Sequence, residues 1–354
     1  MVKILLLRLR LIGDVVFTTP LIAGLRRRHP DAHIAYLVEP DAAPIVRRNP
    51  HLDEVILAPK RPGLGRLTDD LALARRLRAA RFDVAIDLHG GPRSAWLTLA
   101  SGAPMRIGYT IAGRSWMYTH VVARAPDLTP RHSVRNQWDL LAPLHIAEPT
   151  PAANPVEMAE DPAAAARVDA RLAAAGIGPA HPLVVVHVSA NNPFRRWPAG
   201  AFTTVIVRLA QREPGRRIIV SSGPSDAGAA ARITADARAQ LGSLAAAVPE
   251  LGEFDLEEMR VLTGRAAVYI GGDSGPMHIA STTAVPIVAI VGPTLAERSR
   301  PWRGSGAFAE ILDAGPLPCR PCHQRHCVPG DFRCLTGISA ERVIDAAERG
   351  MHQA

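Results

Sequence analysis

Cysteine, aromatic residues and long apolar runs are all scarce in this chain of 354 residues. Aromatic residues make up 5% of the sequence, and no Lys/Arg block is long enough for a nucleic-acid-binding tail, so nucleic acid is not an expected partner. No run of 18 uncharged apolar residues occurs, which argues against a membrane-spanning helix. Phosphate-binding P-loops and the dinucleotide-binding Gly-x-Gly-x-x-Gly pattern are also missing, since 63–65 (Gly-Leu-Gly) has no third glycine in place.

The balance of charge is basic. Lys and Arg number 41 against 33 acidic residues, which gives a formal net charge of +8. Such an excess favours anionic partners such as an acidic lipid or a phosphorylated glycan, and a generally Arg-rich composition explains it equally well. The apolar N-terminus is interrupted by Arg8, Arg10 and Asp14, so we interpret it as a buried strand and not a signal peptide. We expect a cytoplasmic protein whose membrane contact, if any, is peripheral.

Apolar runs alternate with amphipathic stretches, which is typical of a soluble α/β protein built from parallel βαβ units. The runs predict strands at 2–7, 33–38, 54–57, 83–88, 183–188, 216–221, 267–270 and 286–291. The amphipathic stretches predict helices at 13–28, 70–81, 162–175, 199–212 and from about 225. A proline-rich stretch over 147–182 marks a domain junction. We therefore predict a first domain at 1–160 and a second at 161–340.

The most informative stretch is 271–294, in which a strand, a glycine-rich turn, a helix N-terminus and a second strand follow one another. Free N–H groups and the helix dipole make such a turn a natural cradle for an anion. Asp273, Ser274 and His278 add an acid, a hydroxyl and an imidazole around it, and Thr294 follows the second strand. A phosphate bonded to a sugar would use all of these groups.

Asp14 follows the first predicted strand, directly after Gly13. One interpretation is that Asp14 caps the helix that follows, since Asp is favoured at that position. The other is a carboxylate at the carboxyl edge of the first domain that takes a proton from an attacking hydroxyl. The residues alone do not decide between the two.

Two further polar clusters lie in the first half. The segment 87–94 (DLHGGPRS) follows a strand and contains His89 and Arg93, and a tight capped turn explains it as well as a site for an anionic or sugar acceptor. Arg131 belongs to a second cluster with His132, Arg135 and Asn136, for which a solvated helix face is the alternative.

In the second half, polar residues again follow strands. Arg195 and Arg196 come after Ser189, and a guanidinium matches phosphate oxygens bidentately. Gly223 ends the next strand and Asp226 follows it, where an acid often accepts hydrogen bonds from ribose hydroxyls. A helix cap is the rival interpretation of Asp226.

The four cysteines lie together near the C-terminus with the spacing C-x2-C-x4-C-x6-C. The first pair, Cys319 and Cys322, has zinc-like spacing, but Cys327 and Cys334 do not repeat it. A reduced cysteine-rich loop is favoured over a structural metal.

These motifs together resemble bacterial glycosyltransferase family 9, the ADP-heptose:lipopolysaccharide heptosyltransferases. The resemblance covers nearly the whole chain, and four segments carry it: KILLLRLRLIGDVVFTTPLIAGLRRRHPDAHI, DLHGGPRSAWLTLASGAPMRIGY, FRRWP and GGDSGPMHIASTTAVPIVAIVGPT. The cysteine-bearing tail is similar to that of the second-heptose branch. Two departures stand out: Arg195 occupies a position where relatives commonly carry Lys, and the segment HVSANNP lacks the Pro-Gly opening of that branch.

The resemblance implies a GT-B fold, in which two Rossmann-like doubly wound domains face each other across a cleft. It also implies a C-terminal helix, here over 341–354, which in this fold often returns to the first domain. It implies inverting transfer of heptose from ADP-heptose to the lipopolysaccharide inner core at the inner face of the inner membrane, with no cofactor and no required metal. Asp14 matches the general base. The implied acceptor-binding residues are Gly13, His89, Arg93 and Arg131. The implied donor-binding residues are Ser189, Arg195, Arg196, Gly223, Asp226, Asp273, Ser274, Gly275, His278 and Thr294.

Three alternatives stay open. The same fold could transfer another sugar or use another glycan acceptor. A catalytically silent sugar-nucleotide-binding protein would need neither acceptor nor base, and a nucleotide-sugar epimerase of similar architecture would convert the donor without any acceptor.

Overall fold

The computed structural model describes residues 1–59, 61, 63–126, 129–190, 192–304 and 306–353. The chain divides into two compact units, residues 1–159 and 160–354. Each unit is built around its own parallel sheet.

The sheet of the first unit has six strands in the order β3-β2-β1-β4-β5-β6, and every pairing is parallel. The strands are β1 (Lys3–Leu7), β2 (His33–Val38), β3 (Glu54–Leu57), β4 (Val84–Asp87), β5 (Met105–Tyr109) and β6 (His120–Val122). Because central parallel strands are covered on both faces, they are written as continuous apolar runs, and Leu5, Leu6 and Leu7 of β1 are fully buried. This strand order is that of a doubly wound Rossmann-type sheet.

The helices of the first unit pack on this sheet. They are α1 (Ile12–Val16), α2 (Thr19–Arg28), α3 (Leu64–Ala80), α4 (Pro92–Ala100) and α5 (Ser133–Trp138). The apolar face of α3 buries Leu73 and Leu77 against the side chains of β1 and β2. The helix predicted over 70–81 begins six residues earlier, at Leu64. The reason is that no helix-breaking residue follows Gly65.

The single helix predicted over 13–28 is wrong, because the chain forms α1 and α2 with a break between them. Pro20 has no N–H to donate to Val16, so the helix cannot run through this point undisturbed. The hydroxyls of Thr18 and Thr19 instead donate to the carbonyls of Val15 and Val16, at 2.7 and 2.8 Å. The break leaves α1 as a short helix directly after β1.

The sheet of the second unit has five parallel strands in the order β11-β10-β9-β7-β8. The strands are β7 (Leu183–His187), β8 (Arg217–Ser221), β9 (Val268–Gly272), β10 (Ile287–Ile290) and β11 (Ala309–Leu312). Counted within the unit, this is the other common doubly wound order, 2-1-3-4-5.

The helices of the second unit cover the sheet or cap its strand ends. They are α6 (Pro162–Ala174), α7 (Ala199–Arg212), α8 (Ala227–Leu241), α9 (Leu256–Arg265), α10 (Gly275–Ala280), α11 (Ala296–Ser299), α12 (Arg333–Thr336) and α13 (Ala340–His352). Single turns of 3-10 helix occur at Pro193–Arg195 and Pro224–Asp226, where the chain leaves β7 and β8. Within the described residues, no helix combines the length and apolarity needed to cross a bilayer.

The last helix packs against the sheet and helices of its own unit. Val343, Ile344, Ala346 and Ala347 are buried in the same apolar cluster as the side chains of α7, β9 and β10. At the far end of α13, Glu348 forms a paired contact with Arg216, with both N···O distances at 2.6 Å. The apolar stripe of α13 is therefore already buried by its own unit.

Candidate functional site

In the first unit, the candidate residues lie where the strand order reverses. Strand β1 has β2 on one side and β4 on the other, so the connections leaving β1 and β4 run to opposite sides of the sheet. In doubly wound sheets the crevice at this point, outside the carboxyl ends of the strands, is where ligands bind. Asp14 follows β1 and His89 follows β4, so the topology brings together two residues 75 positions apart in the sequence.

Asp14 is held by a buried arginine. The Asp14 Oδ2 atom accepts a hydrogen bond from Nη2 of Arg8, whose Nη1 donates to the carbonyl of Leu88 at 2.7 Å. The Arg8 side chain is 9% exposed, whereas that of Asp14 is 29% exposed. Among the described residues nothing donates to Oδ1, so one carboxylate oxygen is fixed and the other is available.

The helix-cap interpretation of Asp14 is wrong in its position. The residue at the N-cap of α1 is Leu11, with φ of 72°, and Asp14 is the third residue of the helix. Its side chain is directed to Arg8 rather than to the backbone of the helix, and Gly13 precedes it inside the same turn.

His89 is half-buried beside this pair. Burial, followed by the positive charges of Arg8 and Arg10, lowers the pKa of His89 to about 4. The imidazole is therefore neutral at pH 7, with one nitrogen able to donate and one able to accept. Its Nδ1 atom is buried and has no hydrogen-bond partner among the described residues.

Asp87 anchors the turn that carries His89. Its carboxylate is fully buried and accepts from the backbone N–H groups of His89 and Gly90, at 2.9 and 2.8 Å. The hydroxyls of Ser94 and Tyr118 also donate to it, at 3.0 and 2.7 Å. Burial raises the pKa of Asp87, although these hydrogen bonds oppose the shift. With every approach occupied, Asp87 supports the loop and is not itself free to bind a ligand.

The other two residues predicted to bind the acceptor are engaged with protein groups. Arg93 donates to Asp70 at 2.6 Å, to Glu39 at 3.1 Å and to the carbonyl of Pro59 at 2.6 Å. Its side chain is only 12% exposed, which favours a structural role. Arg131 pairs with Asp139 at 2.6 Å and is 32% exposed, so part of its guanidinium remains accessible.

In the second unit, the strand order reverses between β7 and β9, and candidate residues follow both strands. Ser189, Arg195 and Arg196 come after β7, and Asp273 comes directly after β9. Asn191, within the same segment, lies outside the described residues.

Asp273 is the centre of the cluster after β9. Its Oδ2 atom accepts from the hydroxyl of Thr294 at 2.9 Å and from Nη1 of Arg195 at 3.2 Å. Nε2 of His278 lies 3.6 Å from Oδ1. Burial alone would raise the pKa of Asp273, but the His278 hydrogen bond and the charge of Arg195 outweigh it and hold the pKa at about 2. The carboxylate is therefore ionised at any physiological pH.

Helix α10 begins directly after this carboxylate. Ser274 is its N-cap and Gly275 its first residue, and within the described part of the chain the Ser274 side chain makes no capping hydrogen bond. The first N–H groups of α10 are therefore not capped by Ser274, and Pro276 contributes no N–H among them. This arrangement matches the turn predicted from the sequence.

A second cluster joins the loops after β7 and β8. The hydroxyl of Ser189 donates to Oδ2 of Asp226, and Nη2 of Arg196 lies 2.8 Å from Oδ1 of the same carboxylate. Asp226 is buried, while the Arg196 side chain is 41% exposed. Gly223 opens the 3-10 turn that carries Asp226, and its carbonyl accepts from the Asp226 N–H at 2.9 Å.

Sequence reasoning missed two residues of these clusters. Arg8 is visible in the sequence only as a charge interrupting an apolar strand, and that interruption was its one signal. Gln324 accepts from Nε of Arg195 at 2.8 Å, and no local pattern predicts a contact between residues 129 positions apart. The four cysteines are free thiols, and among the described residues no group of three or more His, Cys, Asp or Glu side chains is arranged to hold a metal ion.

The sequence is similar to those of known proteins. Residues 71–331 match the model of "Glycosyltransferase family 9 (heptosyltransferase)". Two Escherichia coli proteins named lipopolysaccharide heptosyltransferase 3 are 28% and 29% identical, the alignments covering 96% and 95% of this chain and 97% and 94% of theirs. Lipopolysaccharide heptosyltransferase 2 of Salmonella typhimurium is 23% identical, over 97% of each chain. The resemblance of the cysteine-bearing tail to the second-heptose branch is therefore not matched by a higher identity over the full length.

Solved structures show the same fold. A glycosyl transferase family 9 structure from Veillonella parvula aligns with a TM-score of 0.84 at 23% identity, covering 99% of this chain and 98% of that one. ADP-heptose lps heptosyltransferase II of E. coli aligns with a TM-score of 0.78 at 20% identity, covering 99% of both chains. E. coli heptosyltransferase WaaC with ADP aligns with a TM-score of 0.72 at 20% identity, covering 98% and 99%. The two doubly wound units thus form a GT-B type fold, and the chain belongs to glycosyltransferase family 9, the heptosyltransferases.

Proposed function

We propose that this glycosyltransferase moves a heptose from ADP-heptose to the inner core of lipopolysaccharide, with inversion at the anomeric carbon and with Asp14 as the general base. The names of the full-length relatives support the substrates, since two of them are lipopolysaccharide heptosyltransferases at 28% and 29% identity. The observation that carries the role of Asp14 is its carboxylate geometry, with Oδ2 fixed by Arg8 and Oδ1 without a donor among the described residues.

In the proposed reaction, Oδ1 of Asp14 takes the proton from an acceptor hydroxyl. The hydroxyl oxygen forms a bond to the anomeric carbon of the heptose while the bond from that carbon to the diphosphate oxygen breaks. A single displacement of this kind inverts the configuration, and the electron pair leaves with ADP. General-base assistance of this kind contributes roughly 10²- to 10⁴-fold to rate.

The second unit supplies positive charge for the leaving diphosphate. The side chains of Arg195 and Arg196 are 32% and 41% exposed, so both are partly accessible from solvent. Donors placed where charge develops are among the largest contributions to catalysis. We assign the uncapped start of α10 at Ser274 and Gly275 to the phosphates as well.

The remaining donor residues are assigned to hydroxyl groups. The ionised carboxylate of Asp273, held by His278 and Thr294, accepts hydrogen bonds from the sugar, because each carboxylate oxygen accepts more than one. Asp226 with Ser189 and Gly223 is assigned to the ribose. In the first unit, Gly13, His89 and Arg131 are assigned to the acceptor, and Arg93 to the support of its loop.

We also propose peripheral contact with an anionic membrane at the cytoplasmic face, supported by the net charge of +8. Co-sedimentation with vesicles containing phosphatidylglycerol, but not with purely phosphatidylcholine vesicles, is the expected result. Equal recovery in the supernatant with both vesicle types would contradict this contact.

The test is an assay of ADP release and acceptor mass, using ADP-heptose and a panel of lipopolysaccharides that each lack one core heptose. We expect one acceptor to gain the mass of one heptose. Asp14→Asn should lower turnover about 100-fold or more while ADP still binds, because the base acts on the acceptor hydroxyl. Asp31→Asn, an exposed acid in the same unit, is the matched control and should keep full activity.

Each other outcome has a defined meaning. Transfer from a different nucleotide sugar, or to a different glycan, would replace the proposed substrates and keep the family activity. Conversion of the donor without any acceptor would indicate an epimerase. Full activity of Asp14→Asn would remove Asp14 from the base role.

A further inference from the structure

Gln324 connects the cysteine-bearing segment to the second-unit site. Its Oε1 atom accepts from Nε of Arg195 at 2.8 Å and from Nδ2 of Asn192 at 2.9 Å. Asn192 caps the 3-10 turn that carries Arg195, since its side chain accepts from the N–H of Phe194. One amide oxygen therefore holds both the start of this turn and the guanidinium at its end.

The segment that carries Gln324 is itself tied to the loop after β10. The Cys322 N–H donates to the carbonyl of Pro293 at 3.2 Å, and Nε of Arg320 donates to the carbonyl of Thr294 at 3.1 Å. Arg320 is fixed in turn by Asp313 at 2.9 Å. Thr294 is the residue whose hydroxyl donates to Asp273, so this segment contacts the Asp273 cluster from two sides.

The backbone at Gln324 is in an uncommon conformation. Its φ is 56°, in the left-handed region that non-glycine residues rarely adopt, and its N–H donates to Sγ of Cys322 at 3.3 Å. Such conformations persist where surrounding contacts fix them, and they are concentrated at functional sites. Here the contacts of Gln324 are those with Arg195, Asn192 and Cys322.

The consequence for Arg195 is an oriented guanidinium. Gln324 holds Nε, and the carboxylate and carbonyl of Asp273 hold Nη1 at 3.2 and 3.3 Å. Among the described residues nothing accepts from Nη2, and 32% of the side chain is exposed. The two fixed nitrogens determine the direction in which Nη2 meets an incoming anion.

We infer that Gln324 is a positioning residue for the nucleotide diphosphate: by holding Nε of Arg195, it presents Nη2 to the phosphate oxygens of ADP and of the nucleotide sugar. The inference rests on the proposed donor role of Arg195. It gives the cysteine-bearing segment a part in donor binding, without any contact between Gln324 and the ligand. Because an oriented guanidinium loses less conformational entropy when it binds phosphate, we expect Gln324 to affect the affinity for the donor.

The test is a double-mutant cycle on ADP binding, measured by titration calorimetry on the full chain. Gln324→Ala should raise the Kd for ADP about 10-fold, the size expected when a hydrogen bond to a charged group is lost. In the Arg195→Ala background the same change should have no further effect, because Gln324 acts only through Arg195. His323→Ala, an exposed neighbour, is the control and should bind ADP as the unmodified chain does.

A second variant separates positioning from a general loosening of the fold. Gln324→Asn tolerates the left-handed backbone but is one methylene too short to reach Arg195, so it should match Gln324→Ala in ADP affinity with an unchanged Tm and an unchanged KM for the acceptor. Unaltered ADP binding by both variants, or additive losses in the cycle, would overturn the inference while leaving the proposed function intact. Absence of ADP binding by the unmodified chain would overturn both.

Discussion

At the scale of single residues, the pairs Arg8–Asp14 and Arg195–Asp273 differ in how many hydrogen-bond donors contact the carboxylate. Asp273 is 4% exposed and contacts Arg195, Thr294 and His278. Asp14 is 29% exposed, and among the described residues its carboxylate has one side-chain partner, Arg8. A carboxylate with several donors is a fixed negative charge, while one with a free oxygen can receive a proton from a substrate. This difference supports the roles proposed above, donor binding for Asp273 and proton transfer for Asp14.

The buried charge of Asp273 predicts a pH-dependent contribution to stability. Its folded pKa of about 2 lies below the ordinary value of 3.8, so its ionised form stabilises the folded chain above about pH 4. This contribution is lost as the pH falls through 2, and it is on the order of 2 kcal/mol. We expect the free energy of unfolding of Asp273→Asn to be lower than that of the unmodified chain at pH 6, and the gap to narrow toward pH 2.

Urea unfolding at a series of pH values measures this gap. Asp236→Asn, an exposed acid on α8 of the same unit, is the matched control and should change stability by less than about 0.5 kcal/mol at every pH. A gap between Asp273→Asn and the unmodified chain that stayed constant down to pH 2 would show that the charge of Asp273 is not the cause.

At the scale of elements, the amphipathic helix α13 buries its apolar face against its own unit. Ile344 is 1% exposed and Val343 is fully buried, both in the cluster formed with α7, β9 and β10. The Nε1 of Trp197 also donates to the carbonyl of Ile338 at 3.1 Å, which fixes the chain just before α13. These contacts make α13 part of the second unit's core.

We therefore expect Ile344→Ala to destabilise the second unit by about 2–5 kcal/mol, since a buried aliphatic side chain is lost and a cavity is left. Hydrogen exchange should show faster exchange in β9 and β10, with β1 and β4 unaffected. Glu341→Ala, whose side chain is 62% exposed on the same helix, is the control and should leave both the Tm and the exchange pattern unchanged. Loss of protection confined to the first unit would contradict the observed packing of α13.

Much of the fold could be predicted from the sequence, because buried parallel strands are written as apolar runs. The strands at 33–38 and 54–57 and the helix at 199–212 were predicted with the bounds that the structure shows. Strand β6 was missed because it is only three residues long, which is too short for its apolar residues to predict a strand. Among the helices, the break before α2 had a signal in the sequence that the prediction did not use. Pro20 lies inside the stretch predicted as one helix, where its missing N–H interrupts the hydrogen bonding.

The candidate site was predictable to the extent that strand ends locate it. Asp14 and Asp273 follow strands that were recognised, so their place at the sheet edges followed from the topology. What the sequence could not show was the partner of each side chain. Arg93 looked available for a ligand, yet Asp70 and Glu39 occupy its guanidinium. Asp70 lies on α3 and Glu39 directly after β2, 23 and 54 positions away in the chain.

At the scale of the whole molecule, two different strand orders produce the same kind of edge. The first unit has the order 3-2-1-4-5-6 and the second has 2-1-3-4-5 when counted within the unit, and in each the candidate residues flank the point of reversal. The residues that distinguish the two units therefore lie in the loops that follow the strands. The net charge of the chain acts in addition, because it affects which ligands approach. The chain carries a net charge of +8, which favours anionic ligands at long range.

For a phosphorylated lipopolysaccharide acceptor, this charge predicts salt-dependent kinetics. The KM for the acceptor should rise several-fold between about 50 mM and about 300 mM NaCl, because the Debye length falls below 10 Å and long-range attraction is screened. The value of kcat should change little, since the bound state excludes most of the salt. Initial rates at saturating donor measure both parameters. An acceptor whose core phosphates have been removed is the matched comparison, and its KM should be insensitive to salt. An equal rise of KM for both acceptors would show that the acceptor's phosphates are not what the basic surface attracts.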